Sequence, residues 1–207
     1  TVQSLAGQSA CDECLPGKYQ GQSGQQACTI AQPGSHAPSI RATLPTDCSP
    51  GQYSDQLQQA SCNECSVGQY QDLSGTSACK PTQPGTHAPS VRATSATSCS
   101  AGSYSDQLQQ ESCQPCPIPQ FQDQAGQTGC VPAQIGFYVA GVGSAAQTPC
   151  ENGTFTTQAG QSRCQLCSKG ETTNDAGTGC MDCPGGHFSD SAGSLSCSEC
   201  IPGTVQP

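Results

Sequence analysis

The sequence predicts a small, disulfide-rich repeat fold. It is an elongated rod of about twelve 17-residue hairpin-like units, each closed by a disulfide, mostly loop with short β-strands and almost no helix. Three observations lead there. Cys14, Cys48, Cys65, Cys99, Cys116, Cys150 and Cys167 lie at multiples of 17 from one another, and Cys183 and Cys200 continue the beat after a one-residue deletion. Such self-similarity marks an array of units too short to fold alone. Leu, Ile, Val and Phe together supply only 24 of 207 residues, too few for a conventional core. Eighteen cysteines take the core's place, a density that belongs to oxidising compartments.

Each element of the unit has its own signal. The anchor station carries the cysteines above, with Ala31, Thr82 and Ala133 filling the vacancies. Three residues on stands a glycine, from Gly17 and Gly34 through Gly186 and Gly203, often after proline, which is turn chemistry. Five residues on come Tyr19, Tyr53, Tyr70, Tyr104, Phe121, Tyr138, Phe155 and Phe188, expected to pack on a disulfide and on the next unit's ring as the chain's core. Aromatic ladders also bind glycans, a secondary expectation for the same rings. Ten residues on, Gly24, Gly75, Gly126, Gly160, Gly177 and Gly193 let the chain reverse. No apolar pattern with a 3.6-residue period persists, so helix is not expected.

A second cysteine series precedes the anchors by three residues: Cys11, Cys28, Cys62, Cys79, Cys113, Cys130, Cys164, Cys180 and Cys197. CxxC pairs suggest zinc or a redox dithiol. Zinc wants four ligands, however, and Cys11, Cys14 and Cys28 are followed by Ala31. The vacancies indicate the pairing instead. Fourteen residues after Ala31, Thr82 and Ala133 stand Pro45, Ala96 and Gln147, so opener and closer are lost together. The expected bridges are therefore Cys14–Cys28, Cys48–Cys62, Cys65–Cys79, Cys99–Cys113, Cys116–Cys130, Cys150–Cys164, Cys167–Cys180 and Cys183–Cys197. Each closes a loop of about 15 residues, worth about 3 kcal/mol in the chain-entropy account. Cys11 and Cys200 are left over, with partners expected before Thr1, after Pro207 or on another chain. The chain reads as a processed or truncated piece of a longer secreted protein.

The vacancies also set a 51-residue superperiod. They divide the chain into residues 1–47 (a bridged then an unbridged unit), blocks 48–98 and 99–149, and consecutive bridged units over 150–207. Residues 31–58 and 82–109 match at 20 of 28 positions. The unbridged units read HAPSIRAT over 36–43 and HAPSVRAT over 87–94. They are either decayed units or a contact surface in which a partner or a glycan replaces the bridge. On the second reading His36, Ser39, Arg41, Thr43, His87, Ser90, Arg92 and Thr94 are contact or O-glycan positions.

No catalytic constellation is expected: His36, His87 and His187 lack metal-ligand spacing, and neither a phosphate loop nor a nucleophile elbow occurs. Asp55, Asp72, Asp106, Asp123 and Asp190 recur in register. One carboxylate per unit is few for calcium, and a turn-opening aspartate explains them. Asn152-Gly153-Thr154 is a glycosylation sequon. Net charge is −9 with only six basic residues, which argues against nucleic acid and anionic membranes. No cofactor, metal or membrane span is expected.

The string Cys14-Leu-Pro-Gly-Lys-Tyr19 through Cys28, and Cys48-Ser-Pro-Gly-Gln-Tyr53 through Cys62-Asn-Glu-Cys65, resembles the ephrin-receptor-like cysteine-rich repeat. It is also similar to the first half of a tumour-necrosis-factor-receptor cysteine-rich module, whose crossed-disulfide second half is absent here. The resemblance spans the chain and implies an extracellular rod. Such arrays occur in receptor ectodomains and in large secreted or surface proteins of protists and algae, including flagellar-hair proteins. The sequence thus predicts an extracellular or cell-surface structural protein. It would be a building block of a fibre, filament or coat, self-assembling or bound to matrix proteins or glycans. The alternative is the stalk or ligand-binding ectodomain of a receptor.

Overall fold

The structure is a computed structural model that describes residues 10–205. Among them it contains no helix, only two- and three-residue strands paired as antiparallel hairpins. The chain forms two compact units, one of residues 1–98 with 107–112, the other of 99–106 with 113–207.

In the first unit the hairpins are β1–β2 (Lys18–Tyr19, Thr29–Ile30), β3–β4 (Ser35–His36, Thr46–Asp47), β5–β6 (Gln52–Tyr53, Asn63–Glu64), β7–β8 (Gln69–Tyr70, Lys80–Pro81) and β9–β10 (Thr86–His87, Thr97–Ser98). In the second they run from β11–β12 (Ser103–Tyr104, Gln114–Pro115) to β21–β22 (His187–Phe188, Ser198–Glu199).

One repeat explains all. The turn at Pro16-Gly17 is closed by a bond from the Lys18 N–H to the Leu15 carbonyl (3.0 Å). It feeds β1, whose Tyr19 faces Thr29 on β2. The second strand is thus the interior of the CxxC motif. The next anchor then locks the hairpin, as the Ala31 N–H donates to the Gly17 carbonyl (2.9 Å). Cys48 to Gly34 and Cys65 to Gly51 repeat this bond at 2.9 Å, with or without a disulfide.

Isolated two-stranded hairpins are marginal in water, so each leans on its successors through backbone bonds. Gly17, Gly34 and Gly51 donate to the carbonyls of Ala37, Ser54 and Gln71, each at 2.8 Å. Gln58, Gly75 and Arg92 donate back to the anchor carbonyls of Ala31, Cys48 and Cys65, each at 2.9 Å. Two units on, the loop seals the turn: a Cβ at Gly17 would collide with the Gln58 carbonyl, and one at Gly51 with that of Arg92. Only glycine leaves room there, and Gly17 also needs its φ of 84°.

The aromatic core expected from the sequence is not what is buried. Tyr19, Tyr53, Tyr70, Tyr104, Tyr138 and Phe155 are half-buried and Phe188 is exposed; of these rings Phe121 alone is buried. What is buried instead lies mostly at two stations of the repeat, and most of it is small or polar. The anchors Cys14, Ala31, Cys48, Cys65, Thr82, Cys99, Cys116, Ala133 and Cys167 are buried, as are Ala37, Ser54, Gln71, Ala88, Ser105, Gln122, Val139 and Thr156 six residues after their anchors. The backbone bonds between neighbouring units run through these stations, as from Gly34 to Ser54 and from Gly51 to Gln71, whereas the rings one residue earlier keep part of their surface exposed, Phe121 excepted, which packs with Ala133 and Val139.

Candidate functional site

The unbridged units are the place where the repeat departs from itself. Their hairpins form as in bridged units, and Ala31, Thr82 and Ala133 are fully buried where a cysteine would be. What differs is the neck. His36 stands at the aromatic station, and its Nδ1–H donates to the carbonyl of Thr46, its own cross-strand partner (3.0 Å). His87 does the same to Thr97 (3.1 Å). In the third, Gln147 accepts from the Gln134 N–H (2.7 Å) and donates to the Gln134 side-chain oxygen (3.1 Å). A polar staple therefore stands at each neck that lacks a disulfide. The Thr82 hydroxyl adds a bond across to the next loop, accepting from the Gln110 N–H (3.0 Å).

Of the sequence-predicted contact positions, Ser39, Arg41, Thr43, Ser90, Arg92 and Thr94 are exposed, while His36 and His87 are half-buried. Arg41 pairs with Glu13, and Arg92 with Glu64 at 3.6 Å. These are the same pair one superperiod apart, and both members are absent from the third block, where Gly143 and Pro115 stand.

Eight disulfides join the cysteines in the order Cys14–Cys28, Cys48–Cys62, Cys65–Cys79, Cys99–Cys113, Cys116–Cys130, Cys150–Cys164, Cys167–Cys180 and Cys183–Cys197. Cys11 and Cys200 are free thiols, the first exposed. The ligand atoms of His36, Cys48 and Cys62 lie within 4.8 Å of one another. The two sulfurs are spent on their own bridge, and a disulfide is not the thiolate a metal requires. Asp72 binds Lys80 (2.6 Å), which holds its carboxyl below the ordinary range and the lysine above its own. Asp55 accepts from Asn63 (3.4 Å), and Asp190 from the neighbouring Ser191 hydroxyl (2.9 Å). His187 lies 3.7 Å from Glu199. Asn152 is exposed in the turn before Gly153.

Two stations escaped sequence reasoning. Six residues after the anchor, Gln20, Gln71 and Gln122 recur at the 51-residue interval. The Gln71 amide donates to the Ala78 carbonyl (2.7 Å) and accepts from the Leu73 N–H (3.1 Å), tying its own loop. Gln122 repeats this on Gly129 (2.9 Å) and Gln124 (3.1 Å). The regular Gln–Ala–Ser succession at this station was the available signal. The other is ten residues after the anchor, where Arg41, Gln58, Arg92 and Gln109 have φ of 62°, 61°, 59° and 61°. The glycines at this station hid the fact that other residues adopt the same conformation there.

Among the described residues, no helix is long and apolar enough to cross a membrane. A search of curated proteins finds no match to the chain. The profile of the family described as tyrosine-protein kinase ephrin type A/B receptor-like matches residues 51–99, 136–179 and 170–207. The disulfides and this match together point to an extracellular setting. With more than half of its residues matched, the chain belongs to the ephrin type A/B receptor-like family of disulfide-rich repeats.

Proposed function

We propose that the chain is a non-catalytic, receptor-type segment of an extracellular protein, serving as the stalk or the ligand-binding part of a cell-surface ectodomain. The observation that carries this reading is the family match over three segments of the repeat array. The hairpins support it, because side chains standing out from a fixed backbone ladder offer partners a repeated surface without chemistry. Partners on this reading are extracellular proteins or glycans, and Asn152 is a candidate N-glycan site.

A second reading, a building block of a secreted fibre, surface filament or coat, is favoured by the near-repetition of residues 31–58 in 82–109. Lattices reuse one contact many times, whereas ligand sites diversify their loops. Binding of the labelled, secreted chain to intact cells separates the two. Saturable binding that unlabelled chain competes away supports the receptor segment. Fibres with an axial repeat under the electron microscope, with no saturable binding, would replace it with the structural reading.

A further inference from the structure

We propose that the loop tips of the first compact unit form a self-contact surface, at which a second copy of the chain packs on Ile40, Leu57, Val91 and Leu108. The inference begins with backbone geometry. Ten residues after most anchors the chain turns through positive φ so that its N–H can reach the preceding anchor's carbonyl, as Gly75 reaches Cys48 (2.9 Å). Glycine adopts that conformation without cost and occupies the station at Gly24, Gly75, Gly126, Gly143, Gly160, Gly177 and Gly193. Arg41, Gln58, Arg92 and Gln109 hold it against their own Cβ atoms.

The second observation is independent of the first. The residue just before each of these four is a large apolar side chain: Ile40, Leu57, Val91 and Leu108 are 54%, 53%, 56% and 54% exposed. Before the glycines stand Ser23, Ser74, Ala125, Ala159, Ala176 and Ala192, with Val142 before Gly143 the exception. A non-glycine residue at positive φ and an exposed apolar side chain directly before it thus coincide at four tips, while at six glycine tips that preceding residue is Ser or Ala. Folding needs neither, since Gly75, Gly126, Gly160 and Gly193 make the same bond to Cys48, Cys99, Ala133 and Cys167. Strain retained on a surface loop points to a functional use of the side chains.

The repeat interval and the charge name the occupant. The pair Ile40 and Leu57 recurs as Val91 and Leu108 after 51 residues. A partner that engages both pairs must repeat at the same interval, and this chain does. Copies that each carry a net charge of −9 repel one another over most of their surface. The tips, however, carry both signs: Arg41 and Arg92 follow Ile40 and Val91, and the exposed Asp55 and Asp106 stand two residues before Leu57 and Leu108, so that a second copy can set opposite charges beside the apolar contacts. A two-fold contact, tip row against tip row, satisfies both conditions.

This inference rests on the reading that the array works by extracellular contact, and sedimentation of the purified, fully oxidised chain tests it separately. Wild type is expected to associate reversibly. The variant Ile40→Ser, Leu57→Ser, Val91→Ser, Leu108→Ser should associate at least tenfold more weakly. A control carrying Leu15→Ser, Val67→Ser and Ile135→Ser, exposed side chains one or two residues after their anchors rather than in the loops, should match wild type. The variant Arg41→Gly, Gln58→Gly, Arg92→Gly, Gln109→Gly guards against misfolding: it should be more heat-stable yet also associate more weakly. A wild type that stays monomeric while binding cells saturably would overturn the self-contact alone. Undiminished association of the tip variant would overturn it as well.

Discussion

Bridged and unbridged units share one hairpin and the same closing bond from the next anchor, and what chiefly separates them is the neck. The bridged neck is covalent; the unbridged neck is a histidine on a carbonyl or a pair of glutamines. The difference teaches what a disulfide contributes here. It does not shape the unit, because the backbone bonds to neighbouring units do that in both kinds. It removes freedom from the unfolded chain, by about 3 kcal/mol per loop. A polar staple contributes only the net worth of a hydrogen bond, about 1 kcal/mol. Unbridged units are therefore expected to be native in form yet to depend on their bridged neighbours.

The largest effect expected is from full reduction. Without its eight bridges the chain has no apolar core to fall back on, and it should unfold entirely. Protease resistance retained in strong reductant at neutral pH would break the comparison at its root.

Next comes conversion of one kind of unit into the other. Ala31→Cys with Pro45→Cys should form a ninth bridge and raise stability by about 3 kcal/mol. Removing one native bridge by Cys65→Ala and Cys79→Ala should lower stability by a similar amount. Thermal unfolding with peptide mapping measures both. A new pair that remains reduced would mean the unbridged neck differs from the bridged one.

The staples themselves come third. His36→Ala with His87→Ala should cost about 1 kcal/mol at each neck. The loss should appear as faster amide exchange in β3–β4 and β9–β10, with bridged hairpins unaffected.

The smallest expected effect belongs to the exposed pair Lys80 and Asp72, which ties a bridged hairpin. Lysine holds the Asp72 carboxyl below its ordinary range, so the pair's contribution is present above the ordinary carboxylate value and is lost as pH falls through the lowered one. Lys80→Gln should flatten only that acid limb of the stability profile, and added salt should do the same to wild type. An unchanged acid limb would show that the pair contributes nothing.

Much of this was legible in the sequence, and particular residues show where reading stopped. The unit, its turn and its strand positions follow from the cysteine beat and from Gly17 and its equivalents. The joint loss of Ala31's and Pro45's cysteines identified the unbridged units, yet decay and external contact were the readings offered for them. The third reading, an internal staple, was hidden because His36 sits at the aromatic station and so looked unrelated to Thr46. The aromatic core was misjudged because the bonds that bring units together are backbone bonds, which leave no side-chain signature. They bury Ala37, Ser54 and Gln71, polar or small residues that a hydrophobic-core reading passes over, and of the aromatic series only Phe121 is buried. The loop tips were half-visible: glycine announced the turn at Gly24 and Gly75, while Arg41 and Gln58 concealed the same turn.

Amide hydrogen exchange of the native, oxidised chain tests most directly the claim that an unbridged unit is as formed as a bridged one. The Cys48 N–H closes the unbridged hairpin on the Gly34 carbonyl (2.9 Å), and the Cys65 N–H closes its bridged neighbour on Gly51 (2.9 Å). The two amides should be protected to within about thirtyfold of each other, matching a neck difference of about 2 kcal/mol. A Cys48 amide that exchanges at the rate of an open chain, beside a protected Cys65, would contradict the account.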